Sequence, residues 1–148
     1  MLGDGHGLTL EKVLQTPNLF SGVDLLALSA CETGVGQKDE EGKEVEGFGV
    51  LAQRKGAKAV LATLWPVADE STANLMSAFY RLRETQSLNK AEALRQAQLQ
   101  MLRGATGQAQ EARGVASTTT LPKYEADTNK PYAHPYYWAP FILIGNWK

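Results

Sequence analysis

Apolar residues gather in three short, unbroken runs: DLLALSA at residues 24–30, KAVLATL at 58–64 and PFILIG at 140–145. Each has the length of a strand, and each is continuous rather than alternating, the pattern of strands buried on both faces of a parallel sheet. Between the second and third runs the spacing becomes helical. Thr72, Leu75, Met76, Phe79, Tyr80, Leu82 and Arg83 recur along one helix face, and Asp69, Ser71 or Thr72 can cap its start. A second helix is predicted over residues 89–103. Asn89-Lys90-Ala91-Glu92 opens it as a capping-box-like pair, Leu94, Ala97, Met101 and Leu102 point inward, and Gly104 stops it. Residues 45–55 can form a helix ahead of the second run, with Gly56 as its stop, and Asp4-Gly5-His6-Gly7 reads as a turn with Thr9 as a helix cap. Strands alternating with helices predict a layered α/β domain: a mostly parallel sheet flanked by helices.

Two segments interrupt this order. Residues 32–46 (ETGVGQKDEEGKEVE) are rich in glycine and acidic side chains and predict a long flexible loop directly after the first strand. Lys38 and Lys43 partly balance its charge, so it reads as a solvated surface rather than a partner site. Residues 104–133 have no consistent apolar period and are longer than the usual connection in a compact domain, so a second flexible loop is expected there. No internal repeat is visible.

Composition narrows the function classes. A length of 148 residues suits one domain with its own core, and 43% hydrophobic with 21% charged residues argues against wholesale disorder. No run approaches the roughly 20 apolar residues of a membrane-spanning helix, and MLGDGHGLTL lacks the basic and apolar regions of a signal peptide, so no membrane association is expected. Lys plus Arg number 15 against 16 Asp plus Glu, which gives no electrostatic case for nucleic acid. Tyr132, Tyr136, Tyr137, Trp138, Phe141 and Trp147 lack interleaved basic residues and read as core and sheet-edge packing, not as a base-stacking platform. No G-x-G-x-x-G or P-loop pattern follows a strand, and neither a cofactor nor a metal is expected. The single cysteine cannot form an internal disulfide, which points to a reducing, cytoplasmic setting.

That cysteine, Cys31, sits where the first apolar run gives way to a glycine-rich segment. The carboxyl ends of parallel strands are where such folds present ligand-binding and catalytic groups. Ser29 and Ala30 before it and Gly34 after it are small enough to let a substrate backbone approach the sulfur, and backbone N–H groups there can stabilise an oxyanion. The alternative is a buried cysteine acting as a small hydrophobe. Trp65, just after the second run, could wall a substrate cleft, with Pro66 holding the turn rigid.

Four segments in order, DLLALSACETGVG, GAKAVLATLWPVADESTANLMSAFYRL, NKAEALRQAQLQML and HPYYWAPFILIGNW, resemble the CHAT domain family, caspase-like domains often attached to tetratricopeptide repeats. The likeness runs from Leu2 to Trp147, apart from the stretches after Gly36 and after Gly104. It implies a caspase/separase-type cysteine endopeptidase scaffold acting on a protein or peptide substrate. Cys31, within Ser29-Ala30-Cys31-Glu32-Thr33-Gly34, occupies the nucleophile's position, with Gly34 beside it in the substrate site. In related separases, acidic residues after the following strand help to bind a basic side chain. By that resemblance Asp69 is a candidate for selecting Arg or Lys, while its residue type alone allows a helix cap.

A thiol with an ordinary pKa of about 8.5 is mostly protonated at neutral pH and needs a base, usually histidine. In caspases that histidine precedes the cysteine by about 50 residues, yet only 30 residues precede Cys31 here. The chain is therefore expected to be the C-terminal portion of a CHAT domain without its N-terminal strands, inactive alone, with an exposed strand edge favouring self-association. His6 resembles the turn after the catalytic histidine. His134, in His134-Pro135-Tyr136-Tyr137-Trp138, matches a motif leading into the last strand, where its expected role is a hydrogen bond anchoring the aromatic segment. Two readings follow: a cysteine endopeptidase domain, or a caspase-like interaction or regulatory module without turnover.

Overall fold

The run at residues 58–64 supplies the middle strand of a three-stranded sheet. The structure, a computed structural model, describes residues 10–28, 41–104 and 127–148, with backbone only for 10 and 41–46. Along these residues the order is α1 (Leu10–Gln15), β1 (Leu26–Leu28), α2 (Glu41–Arg54), β2 (Ala59–Thr63), α3 (Asp69–Gln86), α4 (Lys90–Arg103), a 3-10 turn (Pro135–Tyr137) and β3 (Phe141–Gly145). β1 runs parallel to β2, with Leu28 opposite Ala62, and β3 runs antiparallel to it, with Phe141 opposite Thr63. The small mixed sheet flanked by helices is the expected α/β architecture, its last strand reversed.

The chain divides into two compact units, Met1–Pro66 with Phe141–Trp147, and Val67–Pro140 with Lys148. The sheet belongs to the first. Strand side chains alternate between faces, so the register places Leu26, Leu28, Val60, Ala62, Ile142 and Ile144 on one face. That face packs with Val13 of α1, Phe20, Ala57, and Phe48, Leu51 and Ala52 of α2. All five residues of β2 are buried, including Leu61 and Thr63 of the opposite face, which is why this run carries no polar alternation. α2 begins at Glu41, four residues before the predicted Val45, so residues 41–46 are helical rather than the end of a loop. The remainder of that loop and residues 105–126 of the second one lie outside the described residues, as does the turn around His6 with Thr9. Gly104 itself caps α4, and residues 127–133 form turns.

In the second unit, α3 and α4 form a helical hairpin across the three-residue connection Ser87-Leu88-Asn89. Leu75, Ala78, Phe79 and Leu82 of α3 are buried, as are Ala93, Leu94, Ala97 and Met101 of α4. The cap prediction for α4 is met on both sides: the Asn89 side chain accepts from the Glu92 N–H at 2.9 Å, and Gly104 takes a left-handed conformation at φ +75°. Two expected inward residues are instead exposed, Tyr80 by 47% and Leu102 by 42%. The predicted faces were too wide. In α3 the buried stripe runs through residues 71, 75, 78, 79 and 82, and Tyr80 lies on its flank, one residue and about 100° beyond Phe79. Leu102 stands in the same relation to Met101 in the last turn of α4.

Gly56, the expected stop for α2, has φ +107°. A β-carbon there would lie 2.9 Å from the Ser21 N and Cα, main-chain atoms held in place by the Phe20 N–H donating to the Lys55 carbonyl at 2.9 Å. Gly56→Ala is therefore expected to destabilise the protein by about 1–3 kcal/mol in denaturant unfolding. Unchanged stability would contradict this account of the turn.

Candidate functional site

Parallel pairing sends β1 and β2 out of the sheet in the same direction, so the chain after Leu28 and the chain after Thr63 leave at one edge. Cys31 comes three residues after Leu28, and Trp65 two residues after Thr63. Cys31, Gly34 and His6 themselves lie outside the described residues. Trp65 is half-buried and Pro66 exposed, just after the end of β2.

Asp69 opens α3, and here the expected cap is not made. Ala68, with ψ 138°, is the residue that precedes the first helical position, and it provides no side-chain cap. The Thr72 N–H donates to the Ala68 carbonyl at 3.0 Å as the first helical hydrogen bond. Asp69 is thus one residue too late to reach back to the first-turn N–H groups in the manner of a cap. Ser71 does not cap either: buried, its hydroxyl donates to the Ala68 carbonyl at 2.8 Å. The Asp69 carboxylate is exposed in the first turn, where the helix dipole favours it and where a cationic group from solvent can reach it.

His134 precedes the 3-10 turn, and its Nδ1 accepts from the Tyr136 N–H at 3.2 Å. This is the anchoring bond expected of it, and it occupies one of the two ring nitrogens. Around it the Trp138 Nε1–H donates to the Ala133 carbonyl and the Gln98 amide donates to the Trp138 carbonyl, fixing the aromatic segment that leads towards β3. Of the predicted aromatic packing, Tyr132 and Phe141 are buried, whereas Tyr136 and Trp147 are 40% and 51% exposed.

The family model of the CHAT domain matches residues 2–146, nearly the whole chain and every element described above. The chain belongs to the CHAT domain family. No curated protein and no solved structure matches it. In this CHAT domain no helix among the described residues is long and apolar enough to cross a membrane. Nor do three or more His, Cys, Asp or Glu side chains among them converge as a metal site. An open depression at the α3–α4 turn, lined by Tyr80, Arg83, Glu84, Ser87 and Leu88, includes none of the expected site residues.

Glu70, which the sequence did not single out, and Tyr132, expected only as a packing aromatic, form a second polar feature beside Asp69. The Tyr132 hydroxyl is buried without a hydrogen-bond partner among the described residues. Burial, then the neighbouring Glu70 carboxylate and then Tyr137, raise its pKa to about 12, although Glu70 lies outside hydrogen-bonding geometry with it. Tyr137 packs edge-on against the Tyr132 ring at 5.4 Å. The burial of Tyr132 was expected from its place in the aromatic group, but the orphaned hydroxyl beside Glu70 was not. Its raised pKa means that the unfolded chain ionises first, so this group disfavours the folded state as pH rises from about 10 to about 12. Tyr132→Phe, which removes the orphan hydroxyl, is expected to leave stability at pH 7 unchanged or raised and to reduce the alkaline loss. Marked destabilisation at pH 7 would show that the hydroxyl has a partner.

Proposed function

We propose that this CHAT domain is the cysteine-bearing part of a caspase/separase-like endopeptidase, with Cys31 as its nucleophile. The observation that carries the reading is the family match across residues 2–146, which includes Cys31 and the parallel strands β1 and β2 before and after it in the sequence. Three peptide units span at most about 11 Å, so the chain keeps Cys31 close to the carboxyl end of β1. The Cys31 thiolate would attack the peptide carbonyl carbon, the C–N bond would break as the amine leaves with a proton, and water would hydrolyse the resulting thioester to release the acid and restore the thiol. Backbone N–H groups near Gly34 would receive the oxyanion, Trp65 would wall the cleft, and Asp69 would favour Arg or Lys before the scissile bond. A reducing compartment such as the cytoplasm suits a lone reactive thiol, and neighbouring tetratricopeptide repeats would present or gate the substrate.

The proposal leaves the base to be assigned. Of the two histidines in 148 residues, His134 is engaged as an anchor, and His6 resembles the turn that follows the catalytic histidine. The reading therefore assigns the base to a histidine outside these residues. The same observation favours the second reading, an interaction or regulatory module without turnover.

Peptide reporters ending in Arg or Lys separate the two. The complete gene product is expected to cleave them, with Cys31→Ala losing roughly 10³-fold or more and Asp69→Asn weakening KM for basic reporters more than for uncharged ones. The 148-residue chain alone is expected to give no turnover. Cleavage retained in Cys31→Ala would overturn the assignment of the nucleophile, whereas an inactive complete product would favour the non-catalytic module.

A further inference from the structure

Tyr132 carries a buried hydroxyl that the proposed chemistry does not use. The residue is 4% exposed, and its hydroxyl finds no hydrogen-bond partner among the described residues. A buried polar group left in that state costs stability, and its presence calls for a reason. Phenylalanine would fill the same space without the cost. Tyr137 packs edge-on against the ring at 5.4 Å, so packing fixes where the hydroxyl lies, and the charge that acts on it most is the Glu70 carboxylate in the first turn of α3.

Glu70 and its neighbour Asp69 are both exposed, and neither pairs with a cation among the described residues. Asp69, Glu70 and Tyr132 all belong to the second compact unit. Consecutive helical positions lie about 100° apart, so the two acidic side chains leave α3 in different directions and offer two separate carboxylates. A carboxylate has about four lone-pair sites, enough to accept from the Tyr132 hydroxyl on one oxygen and still present a parallel pair to a planar fork of N–H donors. Being exposed, the Glu70 side chain can turn onto the hydroxyl without repacking the core. We propose that Glu70, oriented by the Tyr132 hydroxyl, is a second specificity-determining carboxylate beside Asp69, which takes the guanidinium of an arginine side chain in preference to a lysine ammonium. A guanidinium gains from a carboxylate plane held in one orientation, whereas an ammonium is a compact point charge that does not. The inference deepens the selection of a basic residue by Asp69 and rests on that reading, with Tyr132 as a positioning residue that acts only through Glu70.

Titration of the 148-residue chain at pH 7 with N-acetylarginine amide and with N-acetyllysine amide, followed through the backbone amide signals, tests it. Both compounds are expected to shift residues 69–72, with the arginine derivative binding roughly threefold to tenfold more tightly. Tyr132→Phe is expected to bring the two affinities together while leaving the lysine affinity and the stability unchanged, a result that a merely structural role of the hydroxyl would not give. Glu70→Gln, at an exposed position, is expected to remove the arginine preference as well, and carries the test should the Phe variant fail to fold. Equal affinities in the wild type, a preference that survives either substitution, or shifts confined to other residues would overturn the inference. Turnover is read separately on the complete gene product. Arginine binding of this kind without any cleavage would refute the endopeptidase and keep the subsite, whereas cleavage indifferent to both substitutions would refute the subsite and keep the endopeptidase.

Discussion

Everything described depends on β2 being paired on both sides and buried on both faces. All five of its residues pair with β3, Val60, Leu61 and Ala62 also pair with β1, and all five are buried. A strand in that position cannot slip by one residue without moving Val60 and Ala62 out of the cluster they share with Ala52 and Phe20. The register is therefore fixed, and with it the edge at which β1 and β2 leave the sheet. In a CHAT domain that edge is where function is to be sought, because the only thiol of the chain follows β1 by three residues and Trp65 follows β2 by two.

The elements were legible where one physical requirement dominated the local sequence. KAVLATL reads as a strand because a strand buried on both faces tolerates no polar alternation, and the start and stop of α4 are legible because Asn89 and Gly104 each satisfy a specific backbone need. Legibility failed where two requirements compete or where the partner is remote in sequence. Asp69 has the chemistry of a cap but not the position, since the extended conformation of Ala68 starts the helix one residue earlier. Tyr80 and Leu102 are apolar enough for the core and lie on the flanks of stripes already filled by Phe79 and Met101. The direction of β3 was hidden because PFILIG reads equally well as a parallel or an antiparallel strand. Tyr132 was legible as a packing aromatic, whereas burial of Lys90 carried no local signal, since its ammonium donates to the Lys148 carbonyl 58 residues away.

Of the candidate site, sequence supplied the residue types and structure the frame. Cys31, read from its place after a buried strand, lies outside the described residues, and the frame shows that the strand before it, β1, runs parallel to β2. Asp69 gained an exposed carboxylate in place of a capping role, which leaves it accessible to a basic side chain. His134 became a structural acceptor for the Tyr136 N–H.

The central claim is that β1 delivers Cys31 to the carboxyl end of β2, and the lone thiol permits a direct measurement. A nitroxide attached to Cys31 broadens the amide signals of residues near it. The account predicts strong broadening at Thr63, Leu64 and Trp65 and much weaker broadening at Ala57, Lys58 and Ala59, about 16 Å away at the other end of the strand. Stronger broadening at Ala57 to Ala59, or equal broadening along β2, would contradict it.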